Sequence, residues 1–292
     1  MPIRACHVDH ANDNAADDIM FLGLDVTHGT NASSKGTPSI ACLTASMDKD
    51  FSQHPAETRL QSAPRHRDKK GAAMEITIPN LEDMLLQHLR RWVKRHVDKL
   101  PHYIIKYRDG IGKDQYDEAL NKELPRLKQA VAQMQAEGFT TPSGRDVKFT
   151  FIVVGKGHEA RLFAQSSNGK YENAPGGTYV DKGITETKPW EFYLQSHNAL
   201  KGTARSGHYV VIHDEIIREQ AQKRNPPIDP ASLIAKITHT LCYLFSRSTG
   251  ATSIPSPVYC AHLACKRARG RLSDVIQGRV QVSLHHFLYH TP

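Results

Sequence analysis

The chain has 292 residues, of which 39% are hydrophobic and 23% charged, and its formal net charge is +8. These values are typical of a soluble globular protein with a sizeable core. No run approaches the 18 consecutive apolar residues that a membrane span needs, and the polar N-terminus lacks the apolar segment of a secretory signal. The five scattered cysteines suggest reduced thiols in the cytoplasm or nucleus rather than a disulfide framework. A basic surface favours a polyanionic partner.

The first part of the chain alternates strands with polar loops. Residues 1–18 are predicted to be a disordered leader, and residues 19–292 are predicted to form one domain. Strands are predicted at 19–27 and 38–48, separated by a loop rich in Gly, Ser, Thr and Asn. A short strand, ETRLQS, is followed by the basic loop SAPRHRDKKGAA.

The middle of the chain alternates helices with apolar strands. Residues 80–100 show one apolar stripe, which predicts a helix with Asn80 as its N-cap. The strand HYIIKYRD follows, and then a helix over 111–138 that Pro125 is expected to kink or divide. A further buried strand is predicted at 148–157.

The last third begins with β-rich sequence and ends with helices. Residues 158–215 contain several strand patterns separated by polar turns. A helix is predicted at 230–250, and another begins near residue 257. Continuous apolar strands alternating with amphipathic helices indicate an α/β fold, with a central sheet covered on both faces.

Two of the predicted strands end in a carboxylate. Asp25 closes IMFLGLD, and Asp109 closes HYIIKYRD. Functional groups gather at the carboxyl ends of central strands in such sheets, so adjacent strands would bring both carboxylates together. Paired carboxylates suit Mg²⁺, and two such ions can hydrolyse a phosphodiester. The alternative is that each Asp merely caps a turn.

A series of motifs in fixed order identifies a family resemblance over about residues 19–282. It resembles the PIWI domain of a eukaryotic Argonaute, and the motifs are GLDVTH, PSIA..TASMD, YRDG, FIVVGKGHEARLF, GTYVDKGIT, FYLQSHNALKGTARSGHYVVIHDE and LCYLFSRSTGATSIPSPVYCAHLACKRARG. The resemblance implies an RNase H-like fold with a central mixed sheet. It also implies guide-directed cutting of RNA with Mg²⁺ or Mn²⁺, through two ions.

The family's catalytic residues can be carried over by motif. The resemblance implies Asp25, Glu75, Asp109 and His262 as the catalytic set. Asp25, Asp109 and His262 would be metal ligands, and Asp25 would bridge both ions. Glu75, in Met-Glu-Ile before the first long helix, is the least certain match in spacing, and Glu82 is its competitor, with an alternative role as a first-turn charge.

The same resemblance implies a set of RNA-binding side chains. They are Lys156, Arg161, Arg205, Arg247, Ser253, Tyr259 and Arg267. Most of these contacts would be to the phosphate backbone and therefore sensitive to salt. Gly157 and Glu159 stand where many family members carry Arg and His, which weakens the local positive field.

The implied partners are a guide RNA and its target strand, and tryptophan-rich peptides are a further class. A monomer without membrane association, located in the cytoplasm, is expected, with the nucleus as an alternative location. The resemblance covers none of the N-terminal, PAZ and MID domains of an Argonaute, and a gene fragment or truncated product is one expectation. The alternative function is an RNA-binding module that does not cut.

Overall fold

The computed structural model describes residues 18–28, 38–61, 78–186 and 190–276. The strands are β1 Ile19–Thr27, β2 Ser39–Ala45, β3 Ala56–Gln61, β4 Tyr103–Asp109, β5 Lys148–Gly155, β6 Phe163–Gln165, β7 Tyr171–Asn173, β8 Thr178–Val180, β9 Trp190–Gln195 and β10 Gly207–Asp214. The α-helices are α1 Leu81–Arg95, α2 Tyr116–Ala136, α3 Ile217–Lys223, α4 Pro230–Tyr243 and α5 Ser256–Ile276. No helix in these ranges is long and apolar enough to cross a membrane.

Eight strands form one mixed sheet in the order β3-β2-β1-β4-β5-β10-β9-β8. The central strands β1, β4 and β5 run parallel to one another, whereas the outer strands pair antiparallel. The strands β6 and β7 form a separate hairpin. The predicted α/β class with a mixed central sheet is therefore confirmed.

The central strand β1 is buried on both faces. Met20, Leu22 and Leu24 pack in the core beneath α1 and α2, whereas Ile19 and Phe21 pack in the core beneath α3 and α4. Side chains alternate between the two faces of a strand, so a strand covered on both sides must be apolar at nearly every position. This is why the continuous apolar runs in the sequence predict a sheet flanked by helices.

The first helix is shorter than its sequence pattern. It ends at Arg95 instead of continuing to residue 100. Val97 and Asp98 have positive φ angles of 49° and 58°, so the chain turns away from the helix there. Val97 belongs to the predicted apolar stripe, yet it is 87% exposed. The helical spacing of apolar residues thus extends to Val97 in the sequence, although the helix itself ends at Arg95.

The second helix is continuous through its proline. Pro125 lies inside α2, and division of the helix at this position is therefore a wrong prediction. Proline removes one backbone hydrogen bond, to the carbonyl four residues earlier. That residue, Asn121, is on the exposed side of α2, where water can hydrate the carbonyl.

Candidate active site

The carboxyl ends of β1 and β4 lie side by side. The two strands pair in parallel up to Leu24 and Arg108, and the next residues along each strand are Asp25 and Asp109. Asp25 is buried, with 7% of its surface exposed, and Asp109 is half-buried. The sheet therefore brings together the two carboxylates that the sequence placed at strand ends.

The electrostatics of Asp109 show that the pair shares one site. Burial raises the pKa of Asp109, and the negative charge of Asp25 raises it further. The Gly110 amide, the Arg108 guanidinium and His262 oppose this rise in the pKa. Two neighbouring carboxylates in a poorly hydrated position repel each other when both are ionised, and a cation or a shared proton is needed to offset this repulsion.

Gly110 shapes the turn that presents Asp109. Its backbone N–H donates a hydrogen bond to Oδ1 of Asp109 at 2.7 Å. Its φ of +82° lies in the left-handed region, which glycine adopts without strain. The glycine in Y-R-D-G is therefore required by the backbone conformation that follows the strand.

The helix α5 brings the third polar residue to the pair. It approaches β1 at Gly23, where a Cβ atom would lie only 2.1 Å from the Pro257 carbonyl carbon. The Thr44 hydroxyl donates a hydrogen bond to the Pro257 carbonyl oxygen at 2.7 Å and fixes the contact. From this position α5 places His262 Nδ1 3.3 Å from Oδ2 of Asp25.

The donors at this edge are of the type that a divalent cation uses. Asp25 and Asp109 offer carboxylate oxygens, and the His262 side chain, 58% exposed, offers an imidazole. The raised pKa of Asp109 fits a pair that needs a cation for compensation. Within the described ranges, however, no group of three or more His, Cys, Asp and Glu side chains is arranged to hold a metal ion. The donors fit the ion chemically, but they do not form a closed metal site.

The fourth predicted catalytic residue, Glu75, lies outside the described residues. Its competitor Glu82 is half-buried in the first turn of α1. An acidic residue in the first helical turn interacts favourably with the helix dipole, which gives Glu82 a structural role.

Comparison with known proteins agrees with the architecture. A family profile described as the Piwi domain matches residues 4–273. Protein tag-76 of Caenorhabditis elegans is 34% identical over 254 residues, which cover 86% of this chain and 22% of that protein. The crystal structure of the C-terminal lobe of a budding yeast Argonaute is 28% identical with a TM-score of 0.75, over 99% of this chain and 54% of that one. Kluyveromyces polysporus Argonaute with a guide RNA is 29% identical with a TM-score of 0.71, over 92% of this chain and 28% of that one.

The chain belongs to the Piwi domain family. The resemblance to an Argonaute PIWI domain is thereby confirmed, together with the RNase H-like fold. The chain spans about half of the yeast lobe and less than a quarter of the C. elegans protein.

Several residues predicted to bind RNA lie close to the carboxylate edge of this Piwi domain. Lys156 Nζ donates a hydrogen bond to the Ser253 hydroxyl at 2.7 Å. Burial lowers the pKa of Lys156, and the charge of Arg205 lowers it further, whereas Asp109 raises it. The pKa of Lys156 therefore depends on both the positive charge of Arg205 and the negative charge of Asp109.

The remaining predicted RNA-binding residues differ in their surroundings. Arg161 Nη1 donates to the backbone carbonyls of His158 and Ala160, at 2.9 and 2.8 Å, and thereby braces its own loop. Tyr259 packs its ring against Phe245, with 4.6 Å between the centroids. The exposed members of the set are Arg205, Arg247 and Arg267.

Four residues that were not predicted as site residues lie at or beneath this edge: His28, Lys106, Arg108 and Glu123. Arg108 Nη1 donates to the Asp109 carbonyl oxygen, and Arg108 Nε donates to Glu123 Oε1 at 3.2 Å. The charges of Arg108 and Asp25 both act on His28, whose pKa is lowered mainly by burial. Lys106 and Arg108 interrupt an otherwise apolar strand at alternate positions, and this was the signal available in the sequence.

Proposed function

We propose that this Piwi domain is the guide-directed, metal-dependent endoribonuclease core of an Argonaute that acts in RNA silencing. The observation that carries the proposal is the meeting of Asp25 and Asp109 at adjacent strand ends, with His262 Nδ1 3.3 Å from Asp25. Two carboxylates and an imidazole on a basic domain suit phosphodiester hydrolysis. Membership of the Piwi family supports this assignment.

The chain's own residues have separable roles in the proposed reaction. Asp25, Asp109 and His262 would hold Mg²⁺ or Mn²⁺, with Glu75 completing the set. Bound cations would supply a water nucleophile and stabilise the charge on the phosphate. The Gly110 amide orients the Asp109 carboxylate, and the contact with Asp25 orients the His262 ring. The packing of α5 on β1 holds these groups together.

The basic residues beside the carboxylates would bind the RNA backbone. The charge of Arg205 lowers the pKa of Lys156, and the charge of Asp109 raises it, so Lys156 lies within reach of both groups. Kluyveromyces polysporus Argonaute holds a guide RNA, and we extend this class of partner to the present chain. Phosphate contacts would position the guide and target duplex with its scissile phosphate near Asp25.

A second candidate function is RNA binding without cutting. It is favoured by the spacing between Glu75 and the first long helix, which departs from the pattern of the family's catalytic glutamate. Such a module would use the same basic residues and leave the target intact. Tryptophan-rich peptides remain a proposed class of partner for either function.

The test is cleavage of an end-labelled RNA annealed to a 5′-phosphorylated guide in Mg²⁺. We expect one cut in the wild type and none with Asp109→Asn, which removes a charged ligand at nearly constant size. Asp117→Asn is the matched control, because Asp117 is exposed in the first turn of α2. Guide binding without a cut in the wild type would favour the second candidate. A cut that Asp109→Asn leaves intact would contradict the proposed site.

A further inference from the structure

A buried ionic network lies directly beneath the carboxylate pair. Lys106 and Arg108 occupy alternate positions of β4 and therefore point to the same face, towards α2. Glu123 of α2 accepts hydrogen bonds from both: Lys106 Nζ donates to Oε2, and Arg108 Nε donates to Oε1 at 3.2 Å. The three side chains are only 1–2% exposed.

Arg108 connects this network to the turn that carries Asp109. Its Nη1 donates to the Asp109 carbonyl oxygen. A Cβ atom placed on Gly110 would be 3.9 Å from Arg108 Nη1 and 3.8 Å from Asp25 Oδ1. The guanidinium thus lies under the Asp109–Gly110 turn and near Asp25, although Arg108 itself points into the core.

Stability alone is a weak reason to bury these groups. Desolvating a charged network has a large free-energy cost, and well-packed apolar residues of similar volume often stabilise a core equally well. Here two cations share one carboxylate, and Lys106 Nζ lies 3.8 Å from the centre of the Phe151 ring. Burial lowers the pKa of Lys106 to about 8, which shows how poorly this position favours charge.

We propose that Glu123 is a positioning residue, which holds Arg108 so that Arg108 holds the Asp109 turn beside Asp25. Glu123 does not touch the reacting atoms. It orients the guanidinium, and the guanidinium supports the backbone of Asp109 and places a fixed positive charge by the carboxylate pair. This inference rests on the proposed nuclease function and adds a supporting residue to that site.

The first test uses Glu123→Gln, which keeps the shape of the side chain but removes its charge. Partners that orient metal ligands typically contribute about 10- to 100-fold to metal affinity or activity. We expect a loss of that size in the single-turnover cleavage rate. A loss in the affinity for Mn²⁺ alone, measured by electron paramagnetic resonance, should accompany it, with guide RNA affinity unchanged. Glu118→Gln is the control, because Glu118 pairs with Lys122 on the exposed side of the same helix.

A second variant keeps the test valid if Glu123→Gln fails to fold. Lys106→Met combined with Glu123→Gln removes one positive and one negative charge, so the buried net charge is unchanged. The double variant should fold because it keeps the net charge of the buried cluster and the methionine packs in place of the lysine side chain. Arg108 would keep only a neutral amide partner on α2 in place of its carboxylate, so the same losses in cleavage and Mn²⁺ affinity are expected.

The possible results distinguish the positioning role of Glu123 from the proposed nuclease function. If the wild type cuts and binds Mn²⁺ and the folded Glu123 variants match it in both, Glu123 does not position the site, although the nuclease assignment stands. If the wild type neither cuts nor binds Mn²⁺, the proposed function is wrong, and the role of Glu123 fails with it. Equal losses in guide affinity and Mn²⁺ affinity would indicate general disruption and would also contradict the positioning role.

Discussion

Asp25 and Asp109 hold their carboxylates at the ends of buried strands, where hydration is incomplete. The pKa of Asp109 is raised by burial and by the charge of Asp25, so the pair destabilises the folded state when both groups are ionised. The Gly110 amide and the Arg108 charge offset part of this effect. An arrangement that opposes its own ionisation is typical of functional sites rather than of structural ones.

The repulsion between Asp25 and Asp109 predicts that Asp109→Asn stabilises the metal-free protein. Without metal, the neutral amide removes the repulsion from Asp25, and we expect the free energy of unfolding in EDTA to rise by about 1 kcal/mol. The variant should also lose the stabilisation that Mn²⁺ gives the wild type by binding only the folded state. Thermal unfolding with EDTA and with Mn²⁺ measures both effects. Asp117→Asn should lower stability slightly, because a charged first-turn residue is lost, and should keep the full stabilisation by Mn²⁺. Mn²⁺ stabilisation that survives in Asp109→Asn would contradict the site.

The buried His88 should make the free energy of unfolding depend on pH. It is fully buried on α1, its Nε2 lies 3.0 Å from the Leu43 carbonyl oxygen, and burial lowers its pKa to about 4. A lowered pKa means that the unfolded state binds the proton first. This contribution to stability is therefore complete above about pH 6.5 and is lost as the pH falls towards 4.

Urea unfolding at pH 7 and pH 5 tests this contribution from His88. The wild type should lose roughly 2 kcal/mol more than His88→Gln between the two pH values, because glutamine does not titrate. The difference between the proteins isolates His88 from other groups that titrate in the same range. An equal loss in both proteins would show that His88 is not held neutral in the folded state.

At the scale of elements, the docking of α5 on β1 decides whether the site exists. The absence of a side chain at Gly23 lets the start of α5 contact the strand, and the Thr44 hydroxyl binds the Pro257 carbonyl there. Eight residues after Pro257, about two turns further along α5, Cys265 Sγ is 3.4 Å from the Asp25 carbonyl oxygen. Arg269 donates to the carbonyls of Thr27 and Pro38, both at 2.9 Å, and ties α5 to two strand ends.

The close approach at Gly23 predicts a large effect of Gly23→Ala. The new methyl group would overlap the backbone of Pro257, and overpacking of this kind costs about 1–3 kcal/mol or more. We expect that loss in the free energy of unfolding and a loss of cleavage, because His262 shifts with α5. Gly270→Ala, on the open side of the same helix, should be neutral or stabilising. Equal effects of the two changes would show that α5 does not depend on Gly23.

At the scale of the whole molecule, a net positive charge is combined with a local acidic site. The net charge of +8 favours RNA in general, while Asp25 and Asp109 form a local negative site at one sheet edge. A cation bound there would let the phosphate backbone approach the carboxylates. Different residues of one domain would thus attract RNA over long distances and hydrolyse the phosphodiester.

The basic surface predicts how RNA binding depends on salt. Arg205→Ala should weaken guide RNA binding and reduce the slope of log affinity against log salt by about 1, because one phosphate contact is lost. Arg90→Ala removes the same charge from α1, where Arg90 pairs with Glu137, and should change the slope little. Fluorescence anisotropy titrations at several salt concentrations measure both slopes. Equal slopes for the two variants would assign binding to net charge rather than to the proposed contact.

The amino-acid sequence was enough to predict the fold class and the family correctly. Apolar runs ending in Asp25 and Asp109 required buried strands with polar ends, whereas the role of His262, taken from the Y-C-A-H-L-A motif, stays a prediction. These features are local, because the burial of a strand and the turn after it depend on residues that are close together in the chain. The end of α1 was missed because the left-handed turn at Val97 and Asp98 has no matching pattern in the sequence.

Which residues lie beneath the carboxylate pair follows from tertiary packing and not from any pattern in the sequence. Lys106, Arg108 and Glu123 are separated by up to 17 positions in the chain, and nothing in their spacing says that α2 closes over β4 at that point. The contact of His262 with Asp25 spans 237 positions and depends on the close packing of α5 at Gly23. Such pairings arise from how helices pack on a sheet, because the free energy of burial depends on the surface that two elements share rather than on either sequence alone.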